Sequence, residues 1–316
     1  MKSSFQTTLG GQVVISGRGV HSDLPACLVL HPAPVDTGLV FIRTGLADGR
    51  VRMFEASWRK VQRTDLCTAL GDRDEELVAT VEHLFAALAG LGVDNARIEI
   101  DGPEMPIMDG SARAFVAAID EVGQIHQMRP RRQLRVLKTI RVEHGLGFAE
   151  LRPAASGFGL DIEIDFDNAA IGRQRRLFDV KPDVFRSEIA PARTFGFLHD
   201  VARLRSLGLA KGSSLDNSIG IDGQTIMNPE GLRFADEFVR HKALDAIGDL
   251  ALAGAPILGR FRSYRPGHKL NFMALEALFA DQSAYELSDG RHAFEPAPMR
   301  AGIGRVAAAA YAAEAN

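Results

Sequence analysis

His241, Lys242, Asp245 and Asp249 are among the polar residues that interrupt the largely apolar stretch FVRHKALDAIGDL at residues 238–250. His241, Asp245 and Asp249 are spaced four apart, which stacks them along one face of a helix. An imidazole and a carboxylate one turn apart can share a metal ion. The same spacing also occurs on solvated helix faces as a simple i,i+4 contact. A second candidate pair, Glu82–His83, lies in TVEHLFAAL (residues 80–88). Neighbouring helical residues diverge by about 100°, so the imidazole can hold an ion while the carboxylate reaches water beside it. His83, His241 and Asp245 together make three ligands. That number leaves the fourth tetrahedral position open, as in catalytic zinc sites. His268, in PGHKLN (residues 266–271), follows a glycine and is expected on a loop leading into a helix. There it can protonate a leaving group, with Asp249 orienting it and stabilising its charge.

The elements that carry these residues read as α+β. The fold class expected is two similar domains, each a β-α-α-β sandwich with helices packed on sheets, and an active site at the domain interface. Residues 1–127 form the N-terminal domain, with one strand over residues 5–15, further strands at residues 27–33, 38–43, 63–70 and 96–102, and a Leu- and Ala-rich helix over residues 77–92. A second helix follows residue 109, with Asp109 or Ser111 as its N-cap. Residues 128–135, basic and broken by Pro130, read as a linker. Residues 136–300 form the C-terminal domain, with strands at residues 137–142, 148–152, 160–166, 174–178 and 218–222. Residues 182–208 read as two helices separated by ARTFGF, and another helix is expected over residues 271–282. Residues 301–316 form an Ala-rich tail.

The chain has 316 residues, of which 46% are hydrophobic and 24% charged, with a net charge of -3. That composition suits a soluble globular protein and gives no reason to expect nucleic acid as partner. Two cysteines, Cys27 and Cys67, cannot make a disulfide framework and fit a reducing cytoplasm. The first residues have no apolar signal-peptide core, and no apolar run is long enough to span a membrane.

The motifs GRGVHS (17–22), TVEHLFAAL (80–88), GVDNARIEIDGPEMPIMDGSA (92–112), ARTFGF (192–197), LRFADEFVRHKALDAIGDL (232–250) and GHKLN (267–271) occur in this order along nearly the whole chain. On these residues the sequence resembles the UDP-3-O-acyl-N-acetylglucosamine deacetylases, zinc amidases of lipid A synthesis. The resemblance implies Zn2+ on His83, His241 and Asp245, a ligand set that Fe2+ can also occupy. It implies Glu82 as general base, His268 as general acid with Asp249 beside it, and Thr194 as a donor to the oxyanion. Phe195 shapes the site, Lys242 approaches substrate phosphate or hydroxyl groups, Arg265 meets the diphosphate, and Asp165 and Phe166 lie near the nucleotide. An insert at about residues 194–224 carries the acyl chain, with Leu198 and Ala210 among its lining residues. The sequence departs from the family pattern at Gly147, Ser213 and Gly220. Near Gly147 a basic nucleotide contact is missing, for which Arg141 or Arg152 would substitute. The implied partner is an acylated UDP-sugar met by a cytoplasmic monomer without stable membrane insertion. Two other readings are a related amidase acting on another N-acetylated sugar nucleotide, and a nucleotide or RNA binder using the 128–135 segment.

Overall fold

Alternating apolar residues in the first part of the chain bury one face of a five-stranded sheet. A computed structural model describes residues 5–288, so the Ala-rich tail lies outside the described residues. The sheet runs in the order Val13–Arg18, Pro25–Pro32, Ala96–Ile100, Leu39–Arg43, Arg52–Glu55. Its pairs are antiparallel except for Leu39–Arg43 against Ala96–Ile100, which is parallel. Ala26, Leu28 and Leu30 alternate into the core from one strand. The later part of the chain builds a seven-stranded sheet around Ile257–Tyr264, which pairs with Gly147–Arg152, Phe158–Asp165 and Gln133–Val136. The fold is therefore mixed α+β, as expected.

The helices are α1 (Glu82–Leu91), α2 (Arg113–Val122), α3 (Pro182–Val184, continued by a π-helical stretch Phe185–Ile189), α4 (Leu198–Ser206), α5 (Glu237–Ala251) and α6 (His268–Ala280). Helix α1 ends at Gly92, whose φ of 86° provides the left-handed C-cap. Helices α1 and α5 pack on each other between the two large sheets, and both are buried on nearly all sides. They come close together at Gly248, where a Cβ would lie 1.9 Å from the Glu82 carbonyl oxygen. Only glycine permits that crossing. Away from this crossing, Trp58 stacks on Phe279 at 5.0 Å, and its N–H donates to the Leu252 carbonyl at 2.9 Å, tying the first sheet's segment to α5 and α6.

Several local expectations change. Residues 5–15 form two strands, Phe5–Leu9 and Val13–Arg18, and the first pairs with Gln124–Pro130. Residues 128–135, read as linker, lie largely in the strands Gln124–Pro130 and Gln133–Val136. Arg131 there is buried, and its guanidinium binds Asp94 at 2.7 Å. Helix α1 starts at Glu82, not at residue 77, because residues 78–81 bond to neighbouring backbone: Val78 exchanges hydrogen bonds with Leu70, and Val81 donates to Thr68. Helix α2 has Ala112 at its N-cap, with no side-chain cap bond. Asp109 pairs with Arg233 instead. The ARTFGF break is partly a strand, Phe195–Phe197, which pairs in parallel with Ile219–Asp222. With α4 and Ile219–Asp222 it makes a β-α-β unit over the insert expected at about residues 194–224.

Candidate active site

Helices α1 and α5 bring His83, His241 and Asp245 together, with one ligand atom from each lying within 4.8 Å of the others. All three residues are buried. The His241 Nδ1–H donates to the Ala192 carbonyl at 3.1 Å, which fixes the tautomer and leaves Nε2 free to accept. That Nε2 lies 3.3 Å from Asp245 Oδ1, and His83 Nε2 lies 3.7 Å from the same oxygen. Asp245 Oδ1 nevertheless has no hydrogen-bond partner among the described residues. A buried carboxylate oxygen without a donor, faced by two imidazole nitrogens, fits a shared divalent cation. Burial, together with His241, holds His83 down at about 3, so it stays neutral and able to ligate. Burial also lowers His241. Burial opposes charge on Asp245, but His241, Lys242, His268 and His83 outweigh it and keep that carboxyl well below the usual range.

Glu82 and His268 flank the cluster. Glu82 occupies the first position of α1, and its Oε2 accepts from the Thr68 N–H at 3.1 Å. Its Oε1 faces His268 Nε2 at 3.8 Å. Burial pushes Glu82 up to about 8, against the pull of His268. His268 is the first residue of α6 and is buried, contrary to the loop expected for it. Its Nδ1–H donates to Asp249 Oδ2 at 2.9 Å. Burial opposes its charge, but Asp249 and Glu82 outweigh burial and raise His268 to about 9. Asp249 is thus turned away from the ligand cluster and toward the imidazole. Asn271 Nδ2–H, at 2.8 Å, and the Thr68 hydroxyl, at 2.6 Å, complete its hydrogen bonds.

ARTFGF is anchored residue by residue. The buried Arg193 binds the fully buried Glu237 at 3.0 Å, at the start of α5. The Thr194 N–H donates to the Gly110 carbonyl at 2.8 Å, and its own carbonyl accepts from Ile219. Gly110 has φ +79°, and a Cβ there would meet the Asn217 carbonyl oxygen at 2.0 Å, so the turn requires glycine. The Phe195 ring packs edge-on against Phe238 at 4.9 Å, Phe166 at 5.7 Å and His241 at 6.4 Å.

Other expected residues meet different partners. Lys242 Nζ binds Asp245 Oδ2 at 2.8 Å and sits over the Phe195 ring at 5.5 Å. Asp165 accepts from Arg265 at 3.1 Å and from the Tyr264 hydroxyl, so the two nucleotide candidates are paired with each other. Arg141 and Arg152, considered as substitutes for a missing basic residue, both clamp the buried Glu150. Gly147 leaves no room for a side chain, because a Cβ would lie 2.8 Å from the Arg265 carbonyl oxygen. In the insert, Leu198 is exposed and Ala210 is buried at φ +51°. Leu215 and Leu198 occupy the space a side chain at Gly220 would fill.

Some residues of the site carry no spacing signal in the sequence. Thr68 lay unremarked inside a segment read as a strand. Asn271 and Glu104 lie within the motifs at positions that no helical spacing marks. Glu104 is buried and accepts from the His21 N–H, Ser22 N–H, Ser22 hydroxyl and Thr80 hydroxyl at 2.6–3.0 Å. It thereby joins the 17–22 turn to the segment before α1. His21 Nδ1 in turn accepts from the Ala210 N–H at 3.3 Å, reaching the insert.

A buried two-histidine, one-aspartate cluster between a carboxylate and an imidazole raised to carry a proton has the parts of a metal-assisted acid–base hydrolase. The family model for LpxC, UDP-3-O-acyl N-acetylglycosamine deacetylase, matches residues 6–280. The chain belongs to that family. Proteins named UDP-3-O-acyl-N-acetylglucosamine deacetylase from Brucella ovis and Brucella abortus are each 50% identical to it over 286 residues, covering 90% of this chain and 99% of theirs. The protein of that name from Brucella melitensis biotype 2 matches to the same extent.

Proposed function

We propose that this chain hydrolyses the 2-acetamido group of a UDP-3-O-acyl-N-acetylglucosamine in lipid A synthesis, releasing acetate and the free amine, with zinc held by His83, His241 and Asp245. The observation that carries the reading is the convergence of those three ligand atoms on a buried Asp245 oxygen that has no donor. A bound divalent cation supplies Lewis-acid polarisation of the amide carbonyl and makes water a stronger nucleophile at neutral pH. Glu82 takes the proton from water as oxygen adds to the carbonyl carbon. Its raised proton affinity would fall with a cation on His83, His241 and Asp245, because a nearby positive charge favours the carboxylate. Thr194 donates to the developing oxyanion. His268, kept protonated by Asp249, gives its proton to the sugar nitrogen as the C–N bond breaks, so that an amine leaves rather than an amide anion.

Phe195 walls the site beside His241, Asp165 and Arg265 meet the nucleotide, and Lys242 keeps the ligand carboxylate oriented. The apolar surface of Leu198, Leu207 and Leu215 on the insert, with Met227 just after it, each at least 39% exposed, takes the acyl chain. The reaction takes place in the cytoplasm, and no helix of the described residues is long and apolar enough to cross a membrane.

The test is metal analysis paired with acetate release on the acylated UDP-sugar. Asp245→Ala is expected to lose both bound zinc and turnover. Turnover at the wild-type rate in that variant defeats the reading.

A further inference from the structure

We infer that Thr68 is a positioning residue that holds the base and the acid's carboxylate in one fixed geometry, an inference that rests on the assignment of Glu82 and His268–Asp249 above. Thr68 is 2% exposed, and both of its donors are spent on carboxylates. Its N–H donates to Glu82 Oε2 at 3.1 Å, and its hydroxyl donates to Asp249 Oδ1 at 2.6 Å. The remaining oxygens of those two carboxylates face opposite nitrogens of one ring: Glu82 Oε1 lies 3.8 Å from His268 Nε2, and Asp249 Oδ2 accepts from His268 Nδ1–H at 2.9 Å. Glu82, Thr68, Asp249 and His268 therefore close a four-membered loop. Thr68 is the only member that has no proton to exchange with substrate or with the ring.

The backbone around Thr68 is fixed for this task. Its carbonyl accepts from Val81 N–H, one residue before Glu82, at 3.3 Å, and Leu70 exchanges hydrogen bonds with Val78 at 2.9 Å in both directions. Leu66, two residues earlier, is held at φ +63°. The segment is thus clamped to the start of α1, while the hydroxyl reaches across to α5. A carboxylate as buried as Asp249 must be fully hydrogen-bonded to stay in place. Without the hydroxyl, Oδ1 loses its donor, and the carboxylate that aims His268 is free to turn. The backbone bond to Glu82 survives substitution, so the hydroxyl bond to Asp249 is the part that side-chain variants remove.

The experiment compares Thr68→Val, Thr68→Ala and Thr68→Ser, alone and with Asp249→Ala, in the zinc-loaded full chain. Hydrogen bonds to charged groups convert to roughly 10- to 100-fold in rate. Thr68→Val and Thr68→Ala are therefore expected to lower kcat by about that factor, with KM within about twofold and zinc content unchanged, while Thr68→Ser retains most of the rate. In the Asp249→Ala background, Thr68→Val is expected to cost little more, because its effect runs through that carboxylate. Thr68→Ala adds no bulk and carries the comparison if Thr68→Val does not fold. The inference is overturned if both hydroxyl-free variants keep wild-type kcat, if Thr68→Ser falls as far as they do, or if the losses multiply in the double variant. Wild-type turnover in Glu82→Gln or His268→Ala is a separate result, which defeats the catalytic assignment itself.

Discussion

At the scale of single residues, the proposed mechanism rests on opposed displacements of two proton affinities. Burial raises Glu82 to about 8, and Asp249 with Glu82 raises His268 to about 9. The competent form has Glu82 deprotonated and His268 protonated. The rate therefore rises as pH passes upward through the Glu82 value and falls as it passes through that of His268, giving a bell-shaped profile. A bound cation moves both limbs to lower pH. His268→Ala should lower kcat by about 10²–10⁴-fold, the usual contribution of a positioned acid. Asp249→Asn removes the main raising charge, so the falling limb should move to lower pH, which a pH–rate series on that variant measures. Helical spacing and quoted motifs mark His83, His241, Asp245, Glu82, His268 and Asp249 in the sequence, and the structure brings these six side chains together; the roles given to them are the proposal above. Thr68 carries no such mark, since its role comes from a donated hydroxyl and a backbone N–H that meet their partners only after residues 181 positions apart pack together.

At the scale of elements, the α1–α5 crossing positions the chemistry. The helix at residues 237–251 could be read from its periodicity, but the start of α1 could not. The apolar run at residues 77–81 continues the helical pattern, and only tertiary hydrogen bonds to Leu70 and Thr68 show that it is extended. This places Glu82 and His83 in the first turn rather than midway along a helix. Gly248→Ala would set a methyl 1.9 Å from the Glu82 carbonyl oxygen. That contact is to backbone and cannot be relieved by rotating a side chain. The substitution should cost about 1–3 kcal/mol or more by overpacking and should reduce turnover by displacing Glu82, readings available from thermal melts and acetate release. His268 likewise looked like a loop residue because glycine precedes it, yet Gly267 is the extended N-cap of α6.

At the scale of the whole molecule, the two sheets meet through α1 and α5, and the ligand cluster draws on both helices. A cation bound there stabilises only the assembled form, by about 2.7 kcal/mol at a free concentration one hundred times Kd. Chelation should lower the melting temperature, and added zinc should restore it in a concentration-dependent way. A melting temperature indifferent to chelator would contradict that. The α+β class was legible from the alternation of strand and helix patterns. The strand identity of residues 128–130 and 133–135 was not, because basic residues beside a proline resemble a linker until Arg131 is seen buried against Asp94.

The nearly complete burial of α1 also matters on the ribosome. His83 precedes His241 by 158 positions, so translation makes α1 long before the helix that covers it. At about 5–20 residues per second, the nascent chain carries an uncovered apolar helix for on the order of ten seconds. Stalled chains ending near residue 200 should therefore bind an apolar dye or a chaperone, and chains extended past α6 should not.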